Sequence, residues 1–255
     1  MDIPVCRRVA TPCCSPKPAR GTSMSRFEQK RAMKGSQKWL QILVNQAPHL
    51  LDRGLARELN LSGVDKIVWL SPKVDDALAE YRDEAFLTKL GAELPRTSLS
   101  SFWPTRGPQW DALGRTSRGE LLLVEAKAHI PELLSPACRA AGKSLQTIHA
   151  SIDRVKRAIG SRGAADWCEN YYQYTNRLAH LYLLSKLNNL PAYLVFVYLL
   201  NDTDTSGPST PEEWAGALKI VHTQLGIDHE RLANTFGPAV IELFIDVKDI
   251  EAATT

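Results

Sequence analysis

The sequence predicts an α/β domain, a central sheet flanked by helices, on three observations. Past Gly91 the apolar pattern changes from helical three- and four-residue steps to short runs broken by Pro and Gly. Residues 121–124 and 192–200 are continuously apolar, as strands buried on both faces are. Helical periodicity then returns between and after these runs.

In chain order, residues 1–23 mix Pro, Ser and Arg without apolar periodicity and are expected to be a disordered or non-native extension. Trp39, Leu40, Leu43, Val44, Leu50, Leu51 and Leu55 recur at helical spacing, so residues 24–70 read as one or two amphipathic helices, divided by Pro48, before a short apolar run at 67–70. Ser71-Pro72 has the form of a helix start, with Ser71 as cap and Pro72 in the first turn. That helix is predicted to reach Leu90, with Val74, Leu78, Tyr81 and Ala85 on its apolar face and Glu80 and Glu84 one turn apart on its flank. Three strands follow at 99–103, 109–113 and 120–127, joined by Pro- and Gly-bearing turns that suit an antiparallel meander. Helices are predicted over 131–138, 143–159 and 167–187, a buried strand over 192–200, a helix over 211–225 and a strand over 239–246.

Composition narrows the function classes. With 44% hydrophobic and 23% charged residues in 255, the chain is long enough and apolar enough to bury a real core. A formal charge of +3 is too small to mark a nucleic-acid binder by itself, so any basic surface must be local. Arg106, Arg115 and Arg118 form one such cluster, and Arg154, Lys156, Arg157 and Arg162 another that reads more simply as a solvated helix face. Five cysteines, an odd number without C-x-x-C spacing, argue against a disulfide framework or a zinc finger and suit reduced thiols in a cytoplasmic protein. No apolar run approaches the roughly 20 residues that cross a bilayer, so no membrane role is expected.

The chemistry is concentrated between Pro104 and His129. Asp111 lies on one arm of a predicted hairpin, and Glu125-Ala126-Lys127 ends the other. Residues i and i+2 of a strand share a face, so Glu125 and Lys127 point together while the small Ala126 can pack under a covering helix. Two carboxylates converging across a hairpin make a hard oxygen site for Mg2+ or Mn2+, and Lys127 beside them would be costly as an unpaired cation. Such a metal would activate water and stabilise the charge developing on a phosphodiester under attack.

Asp111, Glu125 and Lys127 fit a D…E-X-K pattern, and in this the chain resembles the PD-(D/E)XK nuclease superfamily, with Trp110 standing where a Pro usually precedes the first acid. The resemblance implies a restriction-endonuclease-like α-β-β-β-α-β core with a central mixed sheet, occupying residues 71–255 behind an N-terminal helical decoration at 24–70 and carrying a C-terminal helix-strand addition. It implies a Mg2+- or Mn2+-dependent nuclease, endo- or exonucleolytic, acting on DNA. It also implies a further acidic metal ligand from the first core helix, for which Glu80 is the choice and Glu84, one turn later, the substitute. Gln173, Arg177 and His180, at i, i+4, i+7 on one helix face, resemble the glutamine-bearing helix of RecB-like exonuclease domains, with Arg177 in place of the expected tyrosine. His129 is a candidate supporting group or proton shuttle. The competing expectations are a binding or assembly module of the same fold without cleavage, and a phosphodiesterase acting on RNA or another phosphate. No P-loop or helix-turn-helix signature accompanies the site, so target choice would fall to a partner protein or a homodimer.

Overall fold

The computed structural model describes residues 25–255; the extension expected at 1–23 lies outside the described residues. A two-residue strand, β1 (Arg26–Phe27), leads into helices α1 (Gly35–Asn45) and α2 (Pro48–Glu58). Pro48 divides them because it occupies the first turn of α2, where a missing N–H breaks no helical bond.

Strand β2 (Ile67–Ser71) follows, and there the predicted helix from Ser71 to Leu90 gives way to something else. The chain makes one 3-10 turn at Val74–Asp76, a short strand β3 (Glu80–Tyr81), and only then the helix α3 (Asp83–Leu90). Ala77 and Leu78 both take positive φ, +51° and +52°, which a right-handed helix cannot accommodate, and Glu80 and Tyr81 pair with Phe27 and Arg26 instead. Val74, expected on the apolar face, is exposed. The strand predicted at 99–103 is the short helix α4 (Leu99–Phe102), capped by the Ser98 hydroxyl, which accepts from the Ser101 N–H; Leu99 and Phe102 are buried at i and i+3.

The remaining elements are β4 (Ala112–Thr116), β5 (Leu121–Lys127), α5 (Gly142–Ile159), α6 (Tyr172–Tyr182), β6 (Ala192–Leu200), α7 (Pro211–Leu225), α8 (His229–Phe236), β7 (Val240–Asp246) and α9 (Val247–Thr254). The strand expected at 109–113 begins three residues late, Trp110 forming only an isolated bridge to Tyr81. The helix expected at 131–138 is reduced to a 3-10 turn at Ile130–Leu133, and α6 starts five residues later than expected and ends in a π turn at Leu183–Leu187.

Five strands form one mixed sheet in the order β2-β4-β5-β6-β7. The β2/β4 and β4/β5 pairs are antiparallel; β5/β6 and β6/β7 are parallel. The meander is therefore β2-β4-β5, with β2 in the place of the strand expected at 99–103, and the boundary expected between residues 70 and 71 falls inside β2. Strand β5, where the antiparallel half meets the parallel half, is buried along its whole length. Period-2 alternation sends Leu122, Val124 and Ala126 into a core with Trp39, Leu40, Leu43 and Leu51 of α1 and α2. Leu121 and Leu123 enter the larger core on the opposite face, beneath α3 to α8. Glu125 and Lys127 continue that second row, so two charged groups occupy positions that the strand's pattern would otherwise fill with apolar side chains. Among the described residues no helix is long and apolar enough to cross a membrane.

Candidate functional site

The site is built at the open end of the β4/β5 hairpin, away from the turn that joins the two strands. Ala112 pairs with Val124, so the antiparallel register sets Asp111 opposite Glu125. The Ala126 N–H donates to Asp111 Oδ2 at 2.9 Å, fixing one carboxyl oxygen against the neighbouring strand. Lys127 Nζ donates to Glu125 Oε1 and, at 2.8 Å, to Gln173 Oε1 on α6.

One helical turn beyond Gln173, Arg177 reaches the same carboxylate. Its Nε donates to Glu125 Oε2 at 2.7 Å, Nη2 lies 2.6 Å from the same oxygen as an ion pair and donates to the Gln109 carbonyl at 2.6 Å, and Nη1 donates to Asn176 Oδ1 at 3.0 Å. The guanidinium lies 4.7 Å from the centroid of the Trp110 ring, in cation–π geometry. Burial by itself opposes a charge on Glu125, which is 1% exposed, but Arg177 and then Lys127 outweigh it and hold the carboxyl below its ordinary range.

Asp111 is in the opposite condition. Burial, reinforced by the charge of Glu125 and to a lesser degree of Glu80, pushes its carboxyl well above the usual value despite Lys127 and Arg177 nearby. Glu80, also buried, is raised by desolvation in the first place, with Glu125 adding to it. Three amides hold its carboxylate: Gln109 Nε2 at 2.5 Å and Gln29 Nε2 at 3.3 Å to Oε2, and Gln37 Nε2 at 2.9 Å to Oε1. Glu80 thus joins the cluster from strand β3 and not from the flank of a helix. Glu84 is exposed on α3.

The auxiliary candidates divide. Gln173 and Arg177 face the site. His180, expected on the same face, is buried in the core, its ring 4.9 Å from Trp103 and 6.1 Å from Trp110, with Nδ1–H donated to the Asn176 carbonyl at 2.9 Å. Burial depresses its pKa to about 3, so it is a neutral packing residue. His129 engages Glu132 through Nδ1 at 2.7 Å beyond the end of β5. Sequence reasoning missed Gln29, Gln37, Gln109 and Asn176. Only Gln109 carried a signal, two residues before Asp111.

Asp111 and Glu80 open onto a cleft of about 460 Å³, which Arg106, Gln109, Gln173 and Arg177 also line. A second cavity of about 470 Å³ shares Arg106 and Tyr172 with it and adds Arg139. The pair of carboxylates is therefore reachable from solvent through a trough carrying two arginines that face no acidic partner in the cluster. Comparison with known proteins found no match to a family model, to a curated protein or to a solved structure.

Proposed function

We propose that this chain is a metal-dependent nuclease of PD-(D/E)XK type that hydrolyses phosphodiester bonds of DNA. The observation that carries the reading is the convergence of Asp111, Glu125 and Glu80 with Lys127 at the mouth of an arginine-bearing cleft. The α/β architecture supports it: helices, an antiparallel β2-β4-β5 meander, helices, and then β6 parallel to β5 follow the order of a restriction-endonuclease-like core.

The donor set suits Mg2+ or Mn2+. The candidate ligands are carboxylate oxygens, and Asp111 and Glu80 are raised first by burial and then by the neighbouring charge of Glu125, both of which a bound cation would offset. Asp111 and Glu125 would hold the ion, with Glu80 beside them. When bound, it would supply Lewis-acid stabilisation of the phosphoryl group and activation of the attacking water. Arg177 is a positioning residue that fixes the Glu125 carboxylate plane. Gln173 holds the Lys127 ammonium, a donor for the charge that develops on phosphorus, at the cleft side of β5. Arg106 and Arg139 give the flanking phosphates a cationic track.

One observation favours a second reading, a nucleic-acid-binding module that does not cut: both oxygens of Glu125 already carry cationic partners. Incubation of the purified protein with plasmid, linear and single-stranded DNA and with RNA, under Mg2+, Mn2+ or EDTA, separates the two, with Asp111→Asn and Lys127→Ala as controls. The nuclease reading requires cleavage by the wild type with metal and its loss in both variants. Equal activity of all three proteins sinks the site, tight binding without cleavage selects the second reading, and cleavage confined to RNA reassigns the substrate.

A further inference from the structure

Outside the carboxylate cluster, three side chains of unlike chemistry converge beside α5. His149 comes from the middle of that helix, and Asp166 and Cys168 from the connection between α5 and α6; one ligand atom from each lies within 4.8 Å of the others. We propose that His149, Asp166 and Cys168 form a zinc site with its fourth position open to solvent. A nitrogen, a sulfur and one oxygen are the ligand types of Zn2+, whereas the all-carboxylate cluster of the cleft is a site for hard cations, so the two centres sort their metals by donor chemistry.

Distances agree with this. Ligands at about 2.0 to 2.3 Å from a tetrahedral ion stand roughly 3.3 to 3.8 Å apart, so closure needs shifts of about an ångström, within reach of side-chain rotation. Two backbone bonds hold the donors in place. The Cys168 N–H donates to Asp166 Oδ1 at 2.8 Å, leaving the second carboxylate oxygen to the metal, and the Cys138 N–H donates to the Cys168 carbonyl at 2.7 Å. On binding, the Cys168 thiol gives its proton to solvent and the thiolate forms the Zn–S bond. The ion would tie α5 to the segment that leads into Gln173 and Arg177, and the inference does not depend on the nuclease reading.

The test is titration of the full chain with Co2+ followed by displacement with Zn2+. One equivalent should give a thiolate-to-cobalt charge-transfer band and tetrahedral visible bands, both erased by Zn2+. Cys168→Ser should abolish the charge-transfer band. His149→Gln and Asp166→Asn, at sites that are partly or fully exposed and so tolerant of change, should each weaken Co2+ binding by at least about tenfold. Asp111→Asn should leave the spectrum unchanged. Absence of the band in the wild type, its persistence in Cys168→Ser, or wild-type affinity in both His149→Gln and Asp166→Asn would overturn the site. Should Cys168→Ser fail to fold, the other two variants decide.

Discussion

Replacing Arg177 with Met tests how the buried charges of the site are balanced. The guanidinium makes one hydrogen bond and a second ion-pair contact to Glu125 Oε2 and one hydrogen bond each to Gln109 and Asn176, and only 3% of the residue is exposed. Removing one partner of a buried ion pair costs roughly 3 to 5 kcal/mol, because the other is left desolvated and unpaired. Lys127 still faces Glu125, which argues for the lower end, while loss of the contact with Trp110 adds about 1 kcal/mol. We expect Arg177→Met to lower the unfolding free energy by about 3 to 4 kcal/mol in urea, at unchanged slope. Glu125→Gln in the same background should recover part of that, for a coupling of roughly 2 kcal/mol or more in the double-mutant cycle. The variant should also gain more stability from Mn2+ than the wild type; tenfold tighter binding is worth about 1.4 kcal/mol at saturation. A coupling below about 0.5 kcal/mol would refute the assignment of Arg177 as the group that holds Glu125.

Further outcomes follow from the same contacts. On the nuclease reading Asp111→Asn should abolish hydrolysis, and it should raise the melting temperature at pH 7. The folded pKa of Asp111 is raised, so its favourable contribution is complete only below the unfolded value and is lost as pH rises through the folded one; the gain should shrink toward pH 4, and a destabilised variant at pH 7 would contradict it. On the nuclease reading, Lys127→Ala should cut the single-turnover cleavage rate by about 10²- to 10⁴-fold with little change in DNA affinity. His180 and His222, depressed to about 3 and about 4, stay neutral in the fold while the unfolded chain takes up protons below about pH 6.5; each should remove up to about 1.4 kcal/mol of stability per pH unit as pH falls from there toward its folded value, and His222→Asn should flatten the measured slope. Gly226→Ala puts a Cβ 1.7 Å from the Gly163 backbone nitrogen at φ +65° and should cost more than about 4 kcal/mol by denaturant unfolding, whereas Gly160→Ala, at φ +69° beside the movable end of Arg231, should cost only about 1 to 2 kcal/mol.

What could be read from the sequence depended on how local its cause is. Strands β5 and β6 are apolar along most of their length because both faces are covered, and helices α5 and α7 repeat their buried residues at three- and four-residue steps, so each signal lies within its own segment. The pairing of Glu80 and Tyr81 with Phe27 and Arg26 has no local trace, and a Ser-Pro start therefore outweighed it. In α4, four residues are too few to separate an i, i+3 pair from strand alternation. Helix α8 was legible but unread: Asp228 accepts from the Arg231 N–H as a cap, and Leu232 and Phe236 are buried four apart. Asp111, Glu125 and Lys127 come together as expected because hairpin register is written in the spacing of the motif. The packing of His180 in the core has the same physical root as the placement of Gln173 and Arg177 against the cluster. A shared helix face guided all three, but α6 is buried from Tyr174 to Leu181, so its far end meets Trp103 and Trp110 instead of the cleft.

The two cations beside Glu125 are not equivalent, and the difference bears on whether the cluster is built to work. Arg177 is held by acceptors on three residues and by an aromatic face, and moving it would strand all of them. Lys127 has a second acceptor already in place, Gln173, on a flexible four-carbon stem. Freed from Glu125 Oε1, the ammonium can keep Gln173 and turn toward the cleft, where Asp111 stands with its carboxyl raised by burial and, after it, by the charge of Glu125. A purely structural charge cluster would gain from two equally fixed partners. An arrangement with one fixed and one movable cation exposes a single oxygen of Glu125 beside Asp111 while Arg177 keeps the other paired, which is what a site that recruits a further positive charge requires.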